Sequence, residues 1–254
     1  MVGCTKGAVT KLISDLGPAC MDYQDRAIRS LRSKRIQCDE IWSFVLAKDR
    51  NLRPELQGVR GFGSVWTWTA LDPDSKLLVS WHVGERGLSD AKVFMADLAG
   101  RLANRVQLTT DGHPAYLSAI LQTFPYFGAA GVNYGMLMKS YGPSGNDNTA
   151  EVRYSPGRLI RAEKRPVIGN ADPKHISTSH AERMNLSIRM SLRRMTRLTN
   201  GHSKKMANHV AAMAIFFQFY NFARVHQTIR VTPAMAAGIS DHVWETDEIL
   251  GLLD

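Results

Sequence analysis

Cysteine is scarce in this chain. Cys4, Cys20 and Cys38 are its only three, far apart and without a CxxC pair. That excludes a disulfide framework and a zinc ribbon and suits a reducing cytoplasm. Long apolar runs are missing too. The longest, Ala211 to Phe217, is far shorter than the roughly 20 residues a membrane-crossing helix needs. The first residues hold no apolar signal core, and there is neither an internal repeat nor a low-complexity tract. Acidic residues are in deficit, 23 against 32 lysines and arginines, which leaves a net charge of +9 and a pI near 9.6. The expected partner is therefore a polyanion. What is present is ordinary globular material: 254 residues, enough for one domain or two, with 44% hydrophobic residues.

The acid deficit is concentrated. From Arg153 to Lys205 there are thirteen basic residues against Glu163, Asp172 and Glu182. Pro156, Gly157, Pro166, Gly169 and Pro173 predict an irregular first half. A helix is expected from about Ser179, with Met184, Ile188, Leu192 and Met195 as its buried stripe. Glu182, Asn185, Arg189, Arg193 and Thr196 recur at helical spacing on a different face. Such a line is either a solvated, ion-paired face or a surface for a phosphate backbone, and the size of the positive excess favours the second.

The few acids that remain elsewhere stand in telling places. Gln37 to Val45 reads as a strand whose back half is β-branched and aromatic. Asp39 and Glu40 open it and point to opposite faces. Unpaired carboxylates are costly in a core, so these are either acids at a solvated strand end or ligands. A second apolar strand, Val106 to Thr110, delivers Asp111, with Gly112 permitting a sharp turn. Glu182 opens the helix already described. Three separated acids, each at the start or end of a core element, suit a site for magnesium or manganese, which prefer oxygen ligands. Two ions would serve an in-line displacement at phosphorus, Asp39 bridging them and Asp111 and Glu182 holding one each. Glu40 replaces Asp39 as ligand if the strand register differs.

In chain order, Thr5 caps a first helix that Gly17 stops, and Pro18 starts a second running towards Ser33. Lys6, Thr10 and Lys11 on the first suit a recognition helix of an incomplete helix-turn-helix, or the two simply pack. After the Asp39 strand, Ser64–Leu71 and Lys76–Val83 complete an antiparallel meander. A helix from Ser89, the Asp111 strand, a helix from Pro114 and a strand at Gly131–Met138 follow. Ser203 caps a long apolar helix through Phe222, Pro233 begins a short closing helix, and the tail turns acidic. The expected fold class is α/β, a mixed sheet with flanking helices in the element order of the ribonuclease H fold. The expected divisions are a helical N-terminal region (1–35), a catalytic domain (36–240) with a basic insertion near 150–178, and an acidic tail (241–254).

Cys38-Asp39-Glu40-Ile41-Trp42, Thr110-Asp111-Gly112 and Glu182-Arg183-x-Asn185 resemble the DDE transposases of bacterial insertion sequences, closest to the insertion-sequence-one type. Asn221-Phe222-x-Arg224-x-His226 followed by Thr232-Pro233-Ala234-Met235 is similar to the segment such enzymes carry after the acidic helix. The resemblance spans about Arg35 to Ile239. It implies a ribonuclease H-like domain, divalent-metal-dependent DNA cleavage and strand transfer, and a nucleoid-associated bacterial protein that self-associates on element ends and target DNA. Asp39, Asp111 and Glu182 match the acidic triad, and Asn185 the polar residue one turn after the glutamate. With Asn185, the DNA contacts are expected from Arg183, Arg189, Arg193, Arg197, Lys204 and Lys205. Relatives of this type commonly carry an N-terminal zinc-binding segment and a full helix-turn-helix. This chain opens inside what would be the second helix, so a shortened reading frame is expected. The alternative is a catalytically inactive DNA-binding remnant that represses transposition.

Overall fold

The computed structural model describes residues 3–127, 131–142, 157 and 159–254. Arg153, Arg158 and the 150–156 part of the basic insertion lie outside the described residues.

Thr5 accepts from the Ala8 amide and caps α1 (Lys6–Ala27), a single 22-residue helix where the sequence predicts two. Gly17 does not stop it. A Cβ there would stand 2.4 Å from the Cβ of Ala211, so glycine is what lets α1 lie against the later apolar helix α5 (Met206–Gln218). Pro18 sits inside α1 and forgoes one helical hydrogen bond. The two helices expected ahead of the sheet are thus one continuous helix.

Six strands form one mixed sheet: β1 (Arg35–Val45), β2 (Gly63–Leu71), β3 (Leu78–Gly84), β4 (Val106–Asp111), β5 (Val132–Tyr141) and β6 (Leu159–Ile168). Their spatial order is β3-β2-β1-β4-β5-β6. The predicted meander is there, β1 with β2 and β2 with β3, both antiparallel. β4 lies parallel to both β1 and β5, and the crossovers that parallel pairing demands contain α2 (Leu88–Arg101) and α3 (Pro114–Phe127). β6 overturns the expectation of an irregular segment, because it pairs antiparallel with β5 at the sheet edge. Edge position accommodates Pro166. The strand is exposed along most of its length, so it lacks the apolar alternation that would announce it.

The two sheet faces carry different cores. Ile36 and Cys38 of β1 pack with Trp68, with Phe94, Met95 and Leu98 of α2, and with Tyr116 and Ile120 of α3. Ile41, on the other face, packs with Met184 and Ile188 of α4 (Ser179–Ser191) and with Met213 and Phe217 of α5. Ser203 does not cap α5, which starts three residues later and runs on into a π turn at Phe219–Ala223. Pro233 begins the short α6 (Pro233–Ala236) as expected. The acidic C-terminal stretch is docked rather than loose. Trp244 stacks on Tyr23 and Phe222, and Ile249 of α7 (Thr246–Leu250) is buried with Leu16, Cys20 and Ala214. No helix among the described residues is long and apolar enough to cross a membrane. The sheet order and helix placement are compatible with the ribonuclease H-like arrangement expected from the sequence.

Candidate metal centre

The site exists because two neighbouring strands part. β1 pairs with β4 only from Arg35 to Gln37, yet continues beside β2 to Val45. Beyond Gln37 that edge of β1 loses its partner strand until Val45 meets Ser203, and β4 runs on beside β5 alone to end at Asp111. Into this gap come the carboxylates of Asp39, Glu40 and Asp111, with one oxygen from each lying within 4.8 Å of the others.

Alternation along β1 holds, yet it does not separate the two adjacent acids. Asp39 is on the α4 face, where its Oδ2 accepts from Asn185 Nδ2 at 2.8 Å, while its Oδ1 turns back to accept the Glu40 amide at 2.9 Å. Glu40 is on the α3 face. It accepts from the Tyr116 hydroxyl at 2.9 Å and from the Arg86 guanidinium at 2.6–2.7 Å, and its side chain is 1% exposed. Arg86 is itself held 4.7 Å over the Trp66 ring. Side chains on opposite faces converge because the open strand edge is accessible from both. Asp111 closes the group and also accepts the His113 amide at 2.9 Å. Gly112 is not among the left-handed glycines. Its lack of a side chain instead makes room for Met138, whose Sδ would meet a Cβ at 2.5 Å.

Burial and mutual repulsion disfavour charge in this group. Burial first, then the Glu40 and Asp111 charges, push the Asp39 carboxyl up to about 8, against the hydrogen bond from the Glu40 amide. Glu40 is also raised, by burial and then by Asp111, although Arg86 and Tyr116 oppose the shift. A divalent cation removes that penalty, and oxygen donors alone suit magnesium or manganese. One further atom fits: Asn185 Oδ1 is buried without a hydrogen-bond partner, beside the amide nitrogen that holds Asp39. The residues present therefore fit a divalent cation.

Glu182, the expected third ligand, is not in this group. Its Oε1 is ion-paired to Lys139 of β5 and accepts from Thr178 Oγ1 at 2.5 Å. Burial resists its charge, but Lys139 and Thr178 outweigh burial and lower its pKa. Glu182 remains close enough for its charge to raise Asp39. The acidic group thus has Glu40 where the sequence places Glu182.

The basic residues divide. Arg189 does not present itself to a phosphate backbone: it donates to the carbonyls of Met195 at 2.7 Å and Trp42 at 3.2 Å. Burial, then Arg197, lowers its pKa to about 10. Helix α4 ends at Ser191, so Arg193 and Thr196 lie beyond it and do not continue its face. Arg183, Arg193, Arg197, Lys204 and Lys205 are exposed. Asn185 points at Asp39 and belongs to the carboxylate group more than to any DNA surface. Sequence reading does not find Arg86, Tyr116 or Lys139, since each acts on an acid from a different strand or helix and leaves no local spacing to detect. For Arg86 the one hint is its following the β3 strand end, across the meander from β1. No protein-family model matches this sequence, and no curated protein matches it.

Proposed function

We propose that this chain is a DNA strand-cleaving and strand-transferring enzyme of the DDE transposase kind, built on a ribonuclease H-like fold. The observation that carries the reading is the carboxylate group Asp39, Glu40 and Asp111 where β1 and β4 part, with Glu182 of α4 near enough for its charge to act on Asp39. Three or four acids around a partly buried gap in a chain of net charge +9 suit metal-assisted chemistry on a polyanion. When bound, divalent cations supply Lewis-acid stabilisation to a displacement at phosphorus.

The chain's own residues do the rest. Asp39 and Asp111 would hold the cations, and Asn185 fixes the orientation of the Asp39 carboxylate. Arg86 and Tyr116 hold Glu40 in place. Glu182, paired with Lys139, would be a further ligand. Arg183, Arg193, Arg197, Lys204 and Lys205 grip the sugar-phosphate backbone without reading sequence.

Nicking and joining of a labelled duplex carrying the flanking element end, with magnesium or manganese, tests this reading. Asp111→Asn is expected to reduce product at least about a hundredfold, the loss of some 3 kcal/mol of transition-state stabilisation, while duplex affinity stays within about threefold. Undiminished cleavage by Asp111→Asn would sink the proposal. A second reading, a DNA-binding protein without catalysis, draws on the Lys139–Glu182 ion pair, which withholds the glutamate. It predicts salt-sensitive binding that ignores both metal and the Asp111 substitution.

A further inference from the structure

A cleft of about 770 Å³ opens on the far side of α4, between that helix and the segment after the π turn. Its lining includes Lys76, His180, Arg183, Arg224 and His226, and no carboxylate among the described residues. Arg183 and Arg224 are exposed, and Lys76 and His226 are half-buried. The groups are close enough to act on one another. Burial, then Lys76, Arg224 and His180, lowers the pKa of His226. Burial also lowers that of Lys76, where Asp74 and Asp72 oppose the shift and Arg35 adds to it. Neither aspartate lines this cleft, but Asp74 lines the adjoining one with Lys76, His180 and Thr228, and its charge opposes the lowering of the His180 pKa by burial, Lys76 and Arg35.

Positive charge in excess of its neighbouring carboxylates is unfavourable, and a bound anion relieves it. Arginine offers paired N–H donors that match phosphate oxygens, and lysine adds a point charge. Ser187 and Thr228 add hydroxyls to the same lining. We infer that the cleft between α4 and Arg224–Thr228 is a phosphate-binding site separate from the carboxylate group. The phosphate belongs either to a nucleic-acid backbone or to a free phosphate. Its attribution to DNA rests on the strand-transfer reading, whereas the phosphate chemistry does not.

The test uses the full chain without divalent metal, so it does not depend on cleavage. The imidazole resonances of His226, identified by their absence in His226→Gln, are followed by NMR. Inorganic phosphate is compared with chloride at equal ionic strength, and then a DNA duplex is added. Duplex affinity is measured against salt for wild type, Arg224→Gln, Arg224→Lys and, as a control away from the cleft, Arg26→Gln.

Phosphate-specific shifts of His226 that are lost in Arg224→Gln would establish the site for free phosphate. Shifts with duplex alone, together with a log–log salt slope shallower by about one in Arg224→Gln, would assign it to the backbone. In that case Arg224→Lys restores the slope and Arg26→Gln leaves it unchanged. If neither probe moves His226 and the slope is the same in every variant, the inference is overturned. Failure of strand cleavage in the separate Asp111 experiment leaves each of these outcomes readable.

Discussion

Asp39 is a residue whose charge the fold resists. Its carboxyl ordinarily ionises near 3.8 and in the folded chain does so at about 8. Between those values the folded protein keeps a proton that the unfolded chain has lost. Its contribution to stability is therefore complete below about pH 4 and declines as pH rises to about 8. Asp39→Asn is expected to flatten that decline, gaining roughly 1–3 kcal/mol at pH 8 relative to pH 4 without metal. Urea unfolding at the two pH values measures it, and a steeper decline in the variant would refute the account. Glu182 makes the opposite case. Lys139 and Thr178 hold it charged and occupy its Oε1. Lys139→Met releases it, so the variant is expected to bind manganese more tightly, by about three- to tenfold. An unchanged or weaker affinity by calorimetry would mean that Glu182 is no ligand.

At the scale of elements, two arginines four residues apart do different work. Arg189 ties α4 to the Met195 turn and to β1 through two backbone carbonyls. Arg189→Ala is expected to cost about 1.5–3 kcal/mol of stability, as charged hydrogen bonds do. Arg193→Ala is expected to leave the unfolding midpoint alone and to weaken duplex binding. Thermal melts and anisotropy on the same pair of variants separate the roles, and equal melting losses would contradict the division. The sequence does not distinguish these arginines, because helical spacing puts both on one line and only the end of α4 at Ser191 breaks it. Strands β1 to β5 were legible, since apolar alternation and turn residues bound each of them. β6 was not, because an exposed edge strand has no buried face to imprint a pattern. Likewise Gly17 and Pro18 read as a helix boundary on local grounds, and packing against Ala211 overrides that reading.

The whole molecule couples these features. The sequence marks Asp39 and Asp111 as candidate ligands at apolar strand ends; Asp111 does end β4, but Asp39 and Glu40 stand in the middle of β1 instead of opening it. The convergence of Glu40 was not legible, since it depends on where β1 and β4 stop pairing, a property of the sheet and not of either strand. Cation binding must displace the proton held on Asp39, so affinity is expected to rise with pH up to about 8. Saturating magnesium or manganese is expected to stabilise the fold by about 2–3 kcal/mol at a hundredfold excess over Kd, and Asp111→Asn to abolish the gain. Melting curves at pH 6 and pH 8.5 check both statements, and stabilisation independent of pH would contradict them.

Adjacent acids on β1 face different layers: Asp39 reaches the Asn185 side and Glu40 the Tyr116 side. An ion held by both would be a rivet through the sheet. It would add a tie between the cores on the two sheet faces, so occupancy should slow amide exchange in α3 and α4 alike. Filling the centre then sets the stiffness of the scaffold as well as its chemistry.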